Sequence, residues 1–359
     1  MSTYALDAVF RPESVAVVGA SPRERSVGRA VVRNLRQAGF AGPVGLVNPK
    51  HRRIDGVAAV ARLADLPFRP DLVVVSTPAE TVPAVIAQAC KAGARAAVVI
   101  TAGLGQGPGS LLEQLREISR QHGLRIVGPN GLGLMAPHVG LNVSFAAHSP
   151  LPGDLALVSQ SGAIAAGLVE WGRARSIGFS AVVSLGDALD VDFGDLLDWF
   201  AQDSRTRAIL LYIESIGDAR KFMSAARAAA RAKPVVVVKS GRHAQGARAA
   251  ATHTGALAGA DAVYDAAFRR AGLLRVLALD ELFAAAETLG HLRQAPGERL
   301  AILTNGGGIG VLAVDRLVDL GGTLAALDEA TVRRLDGMLP PTWSRANPVD
   351  LLGDADGAR

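Results

Sequence analysis

His253 has a sequence setting that suits covalent chemistry. It lies in the run Thr-His-Thr-Gly-Ala-Leu-Ala-Gly at residues 252–259, which follows a predicted strand at 235–239 and a loop of small residues. Small neighbours leave an imidazole accessible, and imidazole can act as a nucleophile that carries a phosphoryl group. Surface histidines are common, so local sequence alone also leaves open an ordinary loop histidine.

Carboxylates follow two predicted strands. Glu214 comes directly after the apolar run 208–213, where its carboxylate would project into a ligand crevice and could orient an imidazole. Gly186 and Asp187 follow the strand that ends at Ser184, and we expect them near a substrate. Asp187 and Asp190 are equally consistent with ordinary turn residues.

The segment Ser159-Gln160-Ser161-Gly162 follows a predicted strand and precedes a predicted helix. Amides and hydroxyls at a helix N-terminus bind anions, so this segment predicts a phosphate site. It lacks the pattern of a nucleophile elbow and the lysine of a Walker A loop. Helix capping by Ser161 is the alternative explanation.

A small-residue turn follows the first predicted strand. Gly19-Ala20-Ser21 and then Val27-Gly28 predict a phosphate contact at the start of the first long helix. The second strand ends in Asn48-Pro49-Lys50, where an NAD site would have an acidic residue. A lysine there favours a ligand with a phosphate on its ribose, which both CoA and NADP carry, although an exposed lysine in a plain turn is also possible.

Three further strand ends carry small or polar residues. They are Thr77-Pro78, Thr101-Ala102-Gly103 and the segment that contains Asn130. Open α/β sheets bind ligands at the carboxyl ends of their strands. Together these ends predict one crevice for a ligand that resembles a nucleotide, although each is individually consistent with an ordinary turn.

The elements that must position these residues alternate between short apolar runs and Ala-rich helical patterns. This alternation predicts an α/β fold with parallel sheets covered by helices. We expect a Rossmann-like domain at 1–148 and, after the Pro and Gly cluster 149–153, a flavodoxin-like domain at 154–292. Residues 297–359 would start a second flavodoxin-like domain that is truncated, because they supply too few strands for a core.

Composition excludes several classes of protein. Hydrophobic residues make up 49% and aromatic residues 4% of the 359 residues, and the net charge is +5. With few aromatics and no basic run, nucleic-acid binding is not expected. No signal peptide or long apolar span is present and the single cysteine permits no disulfide framework, so we expect a cytoplasmic protein that is not bound to a membrane. No residue pattern predicts a metal site.

At the level of whole motifs, the sequence resembles the NDP-forming acyl-CoA synthetases, relatives of succinyl-CoA synthetase. The resemblance rests on G-A-S, N-P-K, G-P-N-G-L-G, S-Q-S-G-A, S-L-G-D, Y-I-E-S, K-S-G-R and T-H-T-G-A-L-A-G, and it covers nearly the whole chain. It implies that His253 is the phosphohistidine, that Glu214 is its partner, and that residues 159–161 bind phosphate. It also implies that CoA lies across Gly19, Ser21, Lys50, Thr77 and Asn130.

The implied reaction converts acyl-CoA, phosphate and ADP into the free acid, CoA and ATP through an acyl phosphate and a phosphohistidine. ADP, ATP and Mg²⁺ would bind through an ATP-grasp domain or beta subunit, in cis or in trans, and we expect an oligomer. Gly131 departs from the family, in which a cysteine is expected, and we expect it to leave extra space near the thiol of CoA.

Two alternatives remain at this stage. The chain resembles, around residues 268–276, the CoA-sensing part of proteins that end in a GNAT lysine acetyltransferase, although His253 is intact here. An NADP-dependent oxidoreductase would explain the first domain but not the phosphate motifs of the second.

Overall fold

The first half of the chain forms the parallel sheet that its apolar runs predict. A computed structural model describes residues 3–243, 245–246, 260–292 and 297–356, and it divides the chain into two compact units, residues 1–291 and 292–359. Within the described residues, the first sheet has seven strands in the order β3-β4-β2-β1-β5-β6-β7. Its strands are β1 (Val15–Val18), β2 (Val44–Val47), β3 (Arg53–Ile54), β4 (Val57–Val60), β5 (Leu72–Val75), β6 (Ala96–Val99) and β7 (Arg125–Val127).

The pairing is parallel except between β3 and β4. Without β3, the order is that of a Rossmann fold, and the chain reverses direction across the sheet between β1 and β5. The predicted Rossmann-like architecture is therefore confirmed. The sheet is accompanied by the helices α1 (Asp7–Phe10), α2 (Val27–Gln37), α3 (Val82–Lys91) and α4 (Leu111–His122).

A second seven-stranded sheet lies in the same unit, in the order β14-β13-β12-β10-β11-β8-β9. Its five parallel strands follow the order of flavodoxin-like sheets, which confirms the second fold prediction. The strands are β8 (Gly133–Ala136), β9 (Leu141–Ser144), β10 (Leu151–Ser159), β11 (Gly178–Ser184), β12 (Ala208–Ile213), β13 (Val235–Lys239) and β14 (Leu274–Val276). The helices of this region are α5 (Gly162–Ala174), α6 (Phe193–Gln202), α7 (Ala219–Ala232), α8 (Asp261–Ala271) and α9 (Leu279–His291).

The hairpin β8–β9 differs from the sequence-based expectation. Its residues fall within 1–148, yet β8 pairs antiparallel with β11, with Met135 opposite Val182. The pairing buries Leu134 and Val143 in the same apolar cluster as residues of the first sheet, for example Val17. The two sheets therefore share one core.

A backbone ladder also joins the two sheets. Val191 N–H donates to the carbonyl of Ile126 at 3.1 Å, and Leu189 N–H donates to that of Gly128 at 3.0 Å. Below this ladder, Arg125 forms ion pairs with Asp190 at 2.9 Å and with buried Asp195 at 3.0 Å. The carboxyl end of β7 is thereby held against the segment that follows β11.

The second unit contains two short parallel strand pairs, β15 with β17 and β16 with β18. The first strand of each pair lies within residues 299–304, and a helix follows. The elements are β15 (Arg299–Leu300), β16 (Leu303–Thr304), α10 (Gly307–Asp319), β17 (Thr323–Leu324), α11 (Glu329–Asp336) and β18 (Val349–Asp350). No helix among the described residues combines the length and apolar character that a membrane crossing requires.

Candidate functional site

The turn after β1 is held by close contact with its neighbours. Gly19 has φ +92°, and a Cβ on Gly28 would lie 2.0 Å from the Gly19 carbonyl oxygen. A Cβ on Gly19 would in turn lie 2.7 Å from the carbonyl oxygen of Ser76, at the end of β5. Both positions require glycine, because only a bare backbone lets the start of α2 approach the strand ends this closely.

Asn48 connects the end of β2 to this turn. Its Nδ2 donates to the Ala20 carbonyl at 2.7 Å, and its Oδ1 accepts from the backbone N–H of Lys50 at 2.7 Å. Ser21 Oγ accepts from Arg23 N–H at 3.2 Å, while Pro49 and Lys50 are exposed. The segment is therefore a side-chain-stabilised turn that leaves the Lys50 ammonium in solvent.

A cavity of about 680 Å³ opens at the carboxyl edge of the first sheet and is called the larger cavity below. Thr101 Oγ1 donates to the Thr77 carbonyl at 2.7 Å, and Asn130 N–H donates to the Thr101 carbonyl at 3.0 Å, so three strand ends form one wall. Its lining consists of Val27, Ser76, Thr77, Ile100, Thr101, Ala102, Asn130, Gly131, Leu132, Phe145, Ala146, Ala147, Gly162, Ala163 and Ala166.

Six of the predicted site residues thus meet at one cavity: Val27, Thr77, Thr101, Ala102, Asn130 and Gly162. The other predicted ligand-binding residues of the first sheet are described by the structure but are not among those lining it: Gly19, Ala20, Ser21, Gly28, Pro49, Lys50, Pro78 and Gly103. Gly19 and Gly28 lie behind the cavity wall, because they pack against Ser76, and Ser76 lines the cavity.

Gly131 does not leave the extra space that we expected. A Cβ at this position would lie 2.5 Å from the carbonyl oxygen of Ser184, at the end of β11. The next residue, Leu132, donates its N–H to Ser184 Oγ at 2.9 Å. The expectation of added space is wrong, because the backbone of β11 occupies the volume that a side chain would need.

Of the segment 159–162, Gly162 lines the larger cavity and Gln160 lines a second one, whereas Ser159 and Ser161 are in neither lining. Ser161 Oγ accepts from Ile164 N–H at 3.4 Å, so Ser161 caps α5, as the alternative explanation required. Ser159 Oγ donates to the Ser161 carbonyl and accepts from its N–H, which holds the turn before the helix. Gly162, the first residue of α5, lines the cavity, so the positive end of the helix dipole is at its wall.

Gln160 faces a second, smaller cavity of about 400 Å³. Its Oε1 accepts from Glu214 N–H at 2.6 Å and from Ser215 N–H at 3.0 Å. The lining of the smaller cavity is Gln106, Gly107, Pro108, Ser110, Leu112, Glu113, Arg116, Gln160, Gly186, Asp187 and Ser215. Predicted phosphate and substrate residues therefore share this cavity with the start of α4 and the loop before it.

A hydrogen bond joins the linings of the two cavities. Asn130 lines the larger one, Asp187 lines the smaller one, and Asn130 Nδ2 donates to Asp187 Oδ1 at 3.1 Å. Gly186 has φ +53°, and a Cβ on it would lie 2.1 Å from the Pro129 carbonyl oxygen. Asp190, the other candidate near this turn, instead pairs with Arg125 and has a structural role.

Glu214 is half-buried directly after β12. The neighbouring strand β13 ends at Lys239, the lysine of the K-S-G-R motif, which had no predicted role. Lys239 is only 2% exposed, and its ammonium lies 4.7 Å from the ring centroid of Tyr264. Burial lowers the pKa of Lys239. The sequence feature that could have identified Lys239 is a cation directly after four valines, because four valines indicate a buried strand and the cation then lies at its end. His253 and the rest of 252–259 lie outside the described residues.

Comparison with known proteins agrees with this arrangement. A family model described as a CoA binding domain matches residues 13–137, and one described as the succinyl-CoA ligase like flavodoxin domain matches residues 152–289. The ADP-forming acetate–CoA ligase I of Archaeoglobus fulgidus is 41% identical across 99% of this chain, which spans about half (52%) of that relative. The solved structure of the Ca. Korarchaeum cryptofilum dinucleotide forming acetyl-coenzyme A synthetase 1, in complex with phosphate and ADP, superposes with a TM-score of 0.93 and 38% identity. That match covers 99% of this chain and 77% of the solved one.

The alpha subunit of the ADP-forming acetate–CoA ligase I of Pyrococcus furiosus is 41% identical over 360 residues, covering 98% of this chain and 78% of the subunit. Nothing in these comparisons supports the acetyltransferase alternative, and both domain types found in the structure are those of the ligases. The chain belongs to the NDP-forming acyl-CoA synthetase family and represents its CoA-binding and phosphohistidine-carrying module.

Proposed function

We propose that this chain performs the acyl and phosphoryl transfers of an ADP-forming acyl-CoA synthetase on the residues that line the two cavities. The observation that carries the proposal is the hydrogen bond between Asn130 and Asp187, which joins the larger cavity to the smaller one. A thioester placed at this junction would have its CoA on one side and its acyl carbon on the other. Phosphate bound at the smaller cavity would then be within reach of that carbon.

The first step is attack of a phosphate oxygen on the thioester carbonyl. A C–O bond forms and the C–S bond breaks, which gives an acyl phosphate and the CoA thiolate, and the thiolate then takes a proton. In the second step, the imidazole of His253 attacks phosphorus, so that a P–N bond forms and the P–O bond to the acyl group breaks. The free carboxylate leaves and His253 carries the phosphoryl group.

The residues of this chain supply position and charge for both steps. The larger cavity accommodates the pantetheine arm of CoA along Thr77, Thr101 and Asn130, and the N-terminus of α5 at Gly162 stabilises anionic oxygens. Lys50 and Ser21 lie beyond the cavity lining, where they would contact the nucleotide end of CoA. Glu214 would accept a hydrogen bond from His253 and stabilise the positive charge that the ring gains as it is phosphorylated.

Transfer from His253 to ADP would take place on an ATP-grasp domain or beta subunit, in cis or in trans, which would also hold Mg²⁺. The Pyrococcus relative is named as an alpha subunit, and the Korarchaeum structure holds phosphate and ADP, which supports this division of labour. Acetate is the acid named for both ligase relatives and is therefore the first acid to test. We also propose that the protein is cytoplasmic and works as an oligomer.

The test is to incubate the chain with acetyl-CoA and ³²P-phosphate in the absence of nucleotide. We expect a phosphoryl adduct that is labile in acid and stable in alkali, one per chain at most, with stoichiometric release of CoA. His253→Ala should abolish the adduct, whereas His122→Ala, at the exposed end of α4, should retain it. An adduct that survives in His253→Ala, or none in the wild type, would overturn the proposal.

A further inference from the structure

Arg116 places a guanidinium group at the smaller cavity. It lies on α4, on the helix face that also carries Leu112 and Glu113, because residues three and four positions apart are neighbours on a helix surface. Gln160 and Asp187 line the same cavity. Among the described residues that line the two cavities, Arg116 is the only one with a basic side chain. An anion bound in this part of the structure would therefore meet one positive side chain.

The guanidinium of Arg116 is not used by the fold. The side chain is exposed, and it forms no hydrogen bond or ion pair within the part of the chain that the structure describes. The other arginine of α4, Arg120, is paired with Glu117 at 3.1 Å. Arg116 thus offers its five N–H donors to a ligand, whereas Arg120 already has a partner.

Two carboxylates also line the smaller cavity, and both accept hydrogen bonds from neutral groups. Glu113 Oε2 accepts from Gly109 N–H at 2.6 Å, and Asp187 Oδ1 accepts from Asn130 Nδ2 at 3.1 Å. These bonds leave the negative charges in place, and the charges would repel a phosphate ion. Binding of phosphate at this cavity therefore requires a cation that offsets them.

Three backbone amides at or next to the smaller cavity are already used as donors. Gln160 Oε1 accepts the N–H groups of Glu214 and Ser215, and the Pro129 carbonyl accepts Asp187 N–H at 2.9 Å. These amides hold the cavity wall together and are not available to a phosphate. A guanidinium supplies what they do not, because its planar pair of N–H groups matches two phosphate oxygens.

We infer that Arg116 binds the inorganic phosphate that attacks the thioester and holds it at the smaller cavity. This inference rests on the proposed function. Arg116 donates to two oxygens of the phosphate, which leaves another oxygen for the attack on the thioester carbon. The guanidinium stays protonated throughout and makes no covalent bond, so its contribution is binding and position.

The first test measures how the initial rate of CoA release from acetyl-CoA depends on phosphate concentration, without nucleotide. In Arg116→Gln the half-saturating phosphate concentration should rise by about tenfold, the loss expected for a charge-assisted contact at an exposed position, while that for acetyl-CoA stays the same. Arg116→Lys should recover part of the loss, because lysine keeps the charge but not the planar fork. Arg120→Gln, one turn farther along the same helix, should match the wild type.

Ionic strength supplies a readout that a purely structural role would not change. Added KCl should weaken phosphate saturation more in the wild type than in Arg116→Gln, because salt screens an exposed charge. An unchanged phosphate dependence in Arg116→Gln, or an equal change in Arg120→Gln, would overturn the inference. A rise in the half-saturating concentration of acetyl-CoA instead of phosphate would also overturn it, since Arg116 would then contact the phosphates of CoA.

Direct binding separates this inference from the proposed function. In His253→Ala, line broadening of the ³¹P signal of inorganic phosphate measures its dissociation constant, and adding Arg116→Gln should raise that constant by about tenfold. If the wild type forms no phosphohistidine, the proposed function fails, while this titration still decides the inference. Equal dissociation constants, or no binding in either protein, would overturn it. Arg116→Gln should remain folded, because glutamine is also a good helix former, and thermal unfolding checks this.

Discussion

Replacing Gly186 with alanine tests the junction between the two cavities. Gly186 has φ +53°, and its ideal Cβ would lie 2.1 Å from the Pro129 carbonyl oxygen and 2.6 Å from the carbonyl carbon of Asn130. Real Cβ atoms do not approach backbone atoms this closely, so the segment 128–130 must move away from the turn after β11. The same movement would stretch the bond from Asp187 N–H to the Pro129 carbonyl, which is 2.9 Å long.

The magnitude follows from two contributions. An alanine in the left-handed region costs roughly 1–2 kcal/mol relative to glycine. Loss of the bonds to the Pro129 and Gly128 carbonyls removes about 0.5–1.5 kcal/mol each. The free energy of unfolding should therefore fall by roughly 2–5 kcal/mol, and Tm by about 3–8 °C for a unit that spans residues 1–291.

Differential scanning calorimetry of the wild type and Gly186→Ala measures this change. The matched control is Gly167→Ala, because Gly167 is exposed on α5 and its Cβ would meet nothing within 4 Å. Alanine is the better helix former there, so the control should gain about 0.5–1 kcal/mol. A Gly186→Ala protein that unfolds within ~1 °C of the wild type would show that segments 128–130 and 184–187 are not in close contact, and the reasoning for the junction would fail.

Two further predictions concern buried charges. Lys221→Met should lower the free energy of unfolding in urea by about 1–3 kcal/mol, because buried Asp195 loses its partner at 2.7 Å but keeps Arg125 at 3.0 Å. Arg120→Ala, which breaks an exposed pair, should cost less than ~1 kcal/mol, and similar losses in the two variants would contradict the reasoning. Burial lowers the pKa of Lys239 below its ordinary value of 10.5, so the unfolded chain binds a proton that the folded chain releases. The stability of the wild type relative to Lys239→Met should therefore increase as pH rises towards 10.5. Chemical unfolding from pH 7 to 10 measures this difference in stability, and a difference independent of pH would exclude the linkage.

The large parallel strands were predictable from sequence because they are buried on both faces. Residues 72–75 and 235–238 are continuous apolar runs, and each forms an interior strand of its sheet. The hairpin β8–β9 was not predicted, since neither strand is a continuous run of leucine and valine like 72–75 and β8 begins at Gly133, whose φ is +116°. Its assignment to the second sheet depends on contacts across about 50 residues of chain, with Met135 opposite Val182, and periodicity carries no information on such contacts.

The sequence likewise predicted some features of the candidate site and not others. Strand ends with Thr77, Thr101 and Asn130 were found because parallel sheets bind ligands at their carboxyl edges, and these residues do line one cavity. The meaning of Gly131 was not predictable, because the atom that demands glycine, the Ser184 carbonyl oxygen, belongs to another sheet. The domain boundaries and the role of His253 remain predictions, and the histidine lies outside the described residues.

The junction between the cavities combines strained backbone with close contact, and the two have one physical explanation. Asn130 has φ +62° and Gly186 has φ +53°, so both segments have a left-handed backbone conformation where they meet. Such a conformation costs free energy at Asn130, whereas glycine adopts it readily, and it persists where the surrounding structure holds it and a precise geometry is required. The geometry retained here is the Asn130–Asp187 hydrogen bond at 3.1 Å, which joins the two cavities that we propose for CoA and for phosphate. Phosphate must meet the thioester carbon within a few tenths of an ångström, so a rigid junction between two sheets serves the transfer better than a hinge would.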